Sequence, residues 1–140
     1  MPITYKLRYK YANGVEMFVE SGAVALRFEG TDGWVGNNGW RGRLEASAES
    51  ILHTKYAPEA SKLWPMPPGE HRNFLDCVKS RKPTTYTAEA GQRLSTVMHI
   101  GNIAIELGRK LTWDPRKEAF VNDERANKLR SRPARDDWKA

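Results

Sequence analysis

From Thr4 to Tyr11 the chain alternates without a break. Tyr5, Leu7, Tyr9 and Tyr11 fall on one side, and Lys6, Arg8 and Lys10 on the other. A period of two is that of a strand with one covered face. Val15 to Glu20 continues the pattern, and Ala12-Asn13-Gly14 between them is a hairpin signal. A two-residue Asn13-Gly14 loop would set Tyr11 against Glu16 and Lys10 against Met17, polar against apolar at almost every rung. A three-residue loop with Gly14 left-handed instead sets Tyr11 against Val15, Lys10 against Glu16, Tyr9 against Met17, Leu7 against Val19 and Lys6 against Glu20. Apolar then meets apolar and opposite charges face each other, each pair contributing roughly 0.2–1 kcal/mol. This second register is predicted.

Ser21-Gly22 makes the next turn, and Ala23 to Glu29 reads as a third strand with Val24, Leu26 and Phe28 in phase. Thr31-Asp32-Gly33 turns again and Trp34-Val35 begins a fourth strand. Gly36 to Gly42 is a glycine-rich loop, with Arg43 to Ala46 a further strand. The loop lacks the G-x-G-x-x-G spacing and leads into no helix. A turn between strands is therefore favoured over a phosphate cradle.

The period changes after the proline-rich stretch Pro65 to Gly69. A helix is predicted from about Glu70 to Ser80, with Phe74, Leu75 and Val78 on one side. Glu70 in its first turn and Lys79 and Arg81 at its end suit the helix dipole. Thr87 can cap a longer helix, with Glu89 in the first turn and Gly108 as the stop. Leu94, Val97, Met98, Ile100, Ile103, Ile105 and Leu107 occupy most of its circumference, which predicts burial between layers. Gly91, Gly101 and Ala104 would permit close approach, although each interior glycine costs roughly 0.8–1 kcal/mol against alanine. Leu111-Thr112-Trp113 reads as a short extended piece ended by Asp114-Pro115. Asn122 or Asp123 caps a short helix to about Leu129, and a charged tail follows.

The expected architecture is α+β: one domain over residues 1–140, with a mostly antiparallel meander of about four to six strands. The strands fall in about 3–52 and the helices in about 70–108, packed on one face of the sheet. The charged C-terminal tail runs over about 109–140.

Charge narrows the partners. The 140 residues carry a net charge of +6, but with 17 acidic residues among 23 basic ones. A dedicated nucleic-acid module concentrates its cations more than this. Stacking platforms place aromatics and cations on one face, whereas the alternation here separates Tyr5, Tyr9 and Tyr11 from Lys6, Arg8 and Lys10. Nucleic acid is therefore disfavoured. The single cysteine, Cys77, excludes an intramolecular disulfide and is expected in the core. No targeting segment and no run of about 18 apolar residues is seen, so a cytoplasmic chain without a membrane span is expected.

Candidate chemistry is sparse. His53, His71 and His99 have no metal-ligand spacing, and there is no second cysteine for a zinc site. His71 and Asp76 do not share a helix face, so His71 is expected to be exposed. His99 is expected inside the long helix with one hydrogen bond. No nucleophile stands beside a base, so no catalytic residue and no metal ligand is assigned. What remains is a polar cluster in the glycine-rich loop: Asn37, Asn38, Trp40, Arg41 and Arg43. Amides, an indole and guanidinium groups together suit a sugar or an anion.

The stretches HRNFLDCVKSRKP, GQRLSTVMHIGNIAIELGRKLTWDP and EAFVNDERANKLRSRPARDDW, in that order, resemble the C-terminal end of the Gfo/Idh/MocA oxidoreductases, the relatives of glucose–fructose oxidoreductase and inositol dehydrogenase. The closest likeness is to a bacterial subgroup. ANGV and RFEGTDGWV resemble sheet strands of the same domain. The resemblance implies a parent with an N-terminal Rossmann domain that binds NAD or NADP. It also implies a C-terminal α/β domain that shapes a sugar or cyclitol pocket and joins subunits through its open sheet face. The family's dinucleotide fingerprint and its E-K-P tripeptide, which carries the catalytic lysine, do not occur in these 140 residues. The expectation is a non-autonomous substrate-binding and oligomerisation domain, with no cofactor held by its own residues. It would be inactive alone and homo-oligomeric through the sheet face, its Rossmann domain missing or supplied by another chain. A small carbohydrate- or anion-binding module and a basic nucleic-acid binder are the alternatives.

Overall fold

The computed structural model describes residues 4–57 and 69–132. The chain forms two compact units that divide at Pro65, and each is described separately.

The first unit opens with the antiparallel pair β1 (Lys6–Lys10) and β2 (Glu16–Glu20). Lys6 faces Glu20, Leu7 faces Val19, Tyr9 faces Met17 and Lys10 faces Glu16, the register that matching of faces predicts. The three-residue turn is closed by Tyr11 N–H donating to the Val15 carbonyl at 2.9 Å and Gly14 N–H to the Tyr11 carbonyl at 3.0 Å. Gly14 has φ +87°, and a Cβ there would meet nothing. Glycine is thus required by backbone conformation alone. Cations and carboxylates pair on the outer face: Lys6 with Glu20 at 3.4 Å, Arg8 with Glu16 at 2.7 Å, and Lys10 with Glu16 at 3.3 Å.

The expected single meander is interrupted. β3 (Leu26–Glu29), β4 (Trp34–Asn37) and β5 (Glu45–Ala46) form a second antiparallel sheet, separate from the first hairpin. β3 is shorter than the predicted Ala23 to Glu29. Its last partner is Asn37, facing Leu26, and the chain folds into a turn beyond that point. Gly36 is the last residue but one of β4, not part of the loop. A Cβ there would run into the Leu26 carbonyl, so the strands approach only because it is glycine. Ser47 ends the pairing by donating its N–H to the Trp34 carbonyl while its hydroxyl accepts from Trp34 N–H, both at 3.0 Å. One helical turn, α1 (Glu49–Leu52), follows where the strand pattern was expected to continue.

In the second unit α2 (Glu70–Ser80) and α3 (Ala88–Leu107) match the predicted helices. Thr87 caps α3 by accepting from Ala90 N–H at 3.2 Å, and Gly108 ends it in the left-handed conformation at φ +63°. β6 (Trp113–Asp114) and β7 (Ala119–Phe120) form a hairpin that the sequence reading placed in the tail, and α4 (Glu124–Lys128) follows. Asp123, the second of the two predicted caps, accepts from Ala126 N–H at 3.0 Å.

The core lies here. Ile103, Phe120 and Ala126 are buried, with Ile100, Leu107, Leu111 and Trp113 packed against them. Trp113 meets Phe120 edge to face at 5.0 Å between ring centres. The predicted burial of α3 between layers is corrected. Leu94 and Met98 are exposed, and only Gly101 and Ile103 of the helix are buried. The stripe of Ile100, Ile103 and Leu107 finds cover on the β6–β7 side, and an apolar pattern around a helix stays open wherever no second element packs. Cys77 is likewise not a core residue. It is half-buried, with its Sγ 3.3 Å from the Pro83 carbonyl oxygen.

Arg109 grips Asp123 through both carboxylate oxygens, at 2.9 and 2.6 Å. That guanidinium first, and then the Ala126 N–H, holds the Asp123 carboxyl below its ordinary range. A depressed carboxyl contributes stability that is complete above the unfolded-state value, near 4, and is lost as pH falls through the lower folded value. Asp123→Asn is therefore expected to lower Tm at neutral pH by an amount that shrinks in acid below about pH 4. Equal differences in Tm across that range would contradict the assignment. A second expectation concerns the first hairpin. Gly14→Val should destabilise it by about 1–2 kcal/mol, because a β-branched residue resists the left-handed region. An unchanged local hydrogen-exchange protection of β1 and β2 would show the turn to be otherwise.

Candidate functional site

The polar cluster singled out in the sequence sits between β4 and β5. Asn37 closes β4, and its Nδ2 donates to the Gly39 carbonyl at 3.1 Å. The same oxygen accepts from Gly42 N–H at 3.1 Å. Gly39 has φ +111°, and a Cβ at Gly42 would lie 2.7 Å from the Asn38 carbonyl oxygen. The turn is thus folded on itself by two bonds to one carbonyl, in a shape that excludes side chains at two positions. Its apex projects Trp40, whose surface is 88% exposed. Asn38, Arg41 and Arg43 are exposed around it. The five predicted residues are therefore close along one structured turn, but they form an apex and not a pocket. Small-molecule sites are usually concave, and this apex is not.

In the same sheet Arg27 lies over the Trp34 ring at 4.3 Å and pairs with Glu29 at 2.8 Å. That arrangement satisfies its guanidinium. The face carrying Leu26 and Phe28 is open, with the two residues 58% and 62% exposed.

The second unit holds a shallow groove that the sequence reading missed. Gln92, Thr96, His99 and Glu106 of α3 line it, together with Trp113 and Arg130. Positions 92, 96, 99, 103 and 106 share one helix face. That spacing was legible, but the apolar majority of α3 concealed it. His99 is exposed on this face and not enclosed as expected. Gln92 donates to Glu118 at 3.3 Å, and Glu118 holds φ +47°. Arg130 lies 5.8 Å from the centre of the Trp113 ring. His71 is exposed, as expected.

The displaced ionisations have structural causes. Arg8 first, then Lys10, lowers Glu16, and the backbone N–H groups of Arg116 and Lys117 lower Asp114. Burial raises the Tyr9 hydroxyl, with Tyr11 and Tyr5 adding to it. None of these groups lies in the turn or lines the groove. Among the described residues no cluster of three His, Cys, Asp or Glu is placed to hold a metal, and no helix is long and apolar enough to cross a membrane.

A dinucleotide pyrophosphate needs a glycine turn running from a strand into a helix N-terminus. The Gly36–Gly42 segment runs from β4 to β5 instead, and the entry to α2 follows a proline-rich stretch. The described residues do not fit NAD or NADP, so no hydride step is derived from them.

The comparisons with known proteins bear on the chain as a whole. No curated protein and no solved structure matches it significantly. The profile described as "Oxidoreductase family, C-terminal alpha/beta domain" matches residues 3–140. With that match spanning nearly its whole length, and with the α+β elements in place, the chain belongs to the Gfo/Idh/MocA oxidoreductase family, as its C-terminal domain.

Proposed function

We propose that these residues supply the substrate-side surface and a subunit contact of a sugar or cyclitol oxidoreductase, while hydride chemistry resides on a cofactor domain outside them. The family match over residues 3–140 is the observation that carries this reading. It is supported by the connections β5–α1 and β7–α4, the described places where a strand runs through a turn into a helix, neither of which contains a glycine. The tied turn at Asn37–Arg43 is the part best suited to a polyol. Asn38 offers an amide, and Trp40 offers a flat apolar ring to the C–H face of a sugar.

The subunit contact is proposed for the open faces. Leu26, Phe28, Leu94 and Met98 are exposed apolar side chains patterned for cover. Apolar patches beyond a few hundred Å2 usually meet a partner. In the first hairpin, Lys6, Arg8 and Lys10 lie on the strand face with Glu16, Phe18 and Glu20. A two-fold contact through such a mixed face can neutralise charges pairwise.

Two measurements check the reading. Light scattering at about 100 µM should give a dimer or larger mass, because even micromolar affinity would then be mostly assembled. A clean monomer mass would remove the subunit-contact half. In a panel of hexoses and inositols, ligand-observed NMR should show weak binding that Trp40→Ala abolishes. Binding unaffected by Trp40→Ala would move the polyol surface elsewhere.

A further inference from the structure

We infer that the Trp40 turn selects anionic carbohydrates, sugar acids or sugar phosphates, over neutral ones. The inference rests on the proposed substrate-side role and names its ligand class.

Two features carry it. The first is the state of the guanidinium groups. In the first unit Arg8 and Arg27 each hold a carboxylate of the chain, at 2.7 and 2.8 Å. Arg41 and Arg43 hold none among the described residues, although both are on a structured segment. Arginine's planar fork matches a carboxylate or phosphate through two parallel bonds, which a lysine cannot do. The second is the turn itself. Its two bonds to the Gly39 carbonyl and its glycines at 39 and 42 fix the backbone without using the side chains of Trp40, Arg41 or Arg43. The Trp40 indole on this turn is 88% exposed. An exposed indole on the same turn as two exposed guanidinium groups can stack on a sugar ring while they bind its charged substituent. A neutral sugar would use only the ring. A nucleic acid would also use both groups, but Lys6, Arg8, Lys10 and Arg27 of the described strands are each paired with a carboxylate.

The turn is an apex, so affinity for a monosaccharide should be weak, on the order of millimolar. The test is a titration of the whole 140-residue chain followed by NMR at the Trp40 indole N–H and the Arg41 and Arg43 side-chain N–H groups. Glucuronate and glucose 6-phosphate are compared with glucose, inorganic phosphate, acetate and a short DNA duplex. Glucuronate or glucose 6-phosphate should shift these signals with Kd at least tenfold below that of glucose, and which of the two does so identifies the anion. The double substitution Arg41→Gln with Arg43→Gln should erase that preference, bringing the Kd of the anionic sugar to within about twofold of that of glucose. The side chains are exposed, and unchanged amide shifts in β3, β4 and β5, the sheet that carries the turn, verify the fold of this variant. Equal affinity for glucose overturns the inference and leaves the proposed function standing. Inorganic phosphate or acetate binding as tightly as the sugar anion overturns it, since the ring then adds nothing. Tighter, steeply salt-dependent binding of DNA overturns it in favour of a nucleic-acid surface. No response to any sugar overturns both this inference and the polyol role of the turn.

Discussion

The second unit depends on one carboxamide. Asn127 donates through Nδ2 to the Phe120 carbonyl at 2.8 Å, and its Oδ1 accepts from the Phe120 N–H at 2.9 Å. β7 has two residues and α4 five. A two-stranded ribbon is marginal alone, and a single helical turn does not form without tertiary support. The two bonds satisfy both backbone groups of a buried residue and tie the short strand to the short helix. Phe120 then presents its ring to Trp113 and Ile103, and the helix α3 acquires its covered stripe. Arg109 on Asp123 anchors the other end of α4 beside the stop of α3.

The first unit is held differently. Among its described residues no hydrophobic side chain is buried, and its strands are joined by backbone bonds and by surface ion pairs. Exposed pairs contribute little, typically under about 1 kcal/mol each. Yet its strands keep the period-two pattern of a covered sheet. A surface patterned for cover and left open is what a domain or subunit contact looks like before its partner is seated. This is the physical link between the weak internal packing of the unit and the contact role proposed for it. The tied turn differs from the rest of the unit, because its shape needs no partner.

Local rules were legible in the sequence. The register of β1 and β2 followed from opposing like with like, and Thr87, Gly108 and Asp123 marked helix ends through hydrogen-bonding chemistry that needs no tertiary context. Where tertiary partners decide, the sequence was less informative. The apolar circumference of α3 implied cover on all sides, but the pattern cannot say which sides the chain itself covers. Trp113 and Phe120 were too close in sequence to two-residue strands for periodicity to register them as a hairpin. The candidate turn was found by composition, as a glycine-rich segment with two arginines and an indole. That it is an apex, and not a pocket, depends on the Gly39 carbonyl accepting twice, which composition does not specify.

The proposed division of labour gives these residues the surfaces toward substrate and subunit and leaves the cofactor to residues outside them. Backbone amide shifts of the chain, recorded while NAD+, NADH, NADP+ and NADPH are each raised to a few millimolar, test it most directly. The account predicts no saturable shift at any residue. A saturable response clustered on Gly36–Gly42 or on the α3 groove would contradict it and place cofactor binding within this domain.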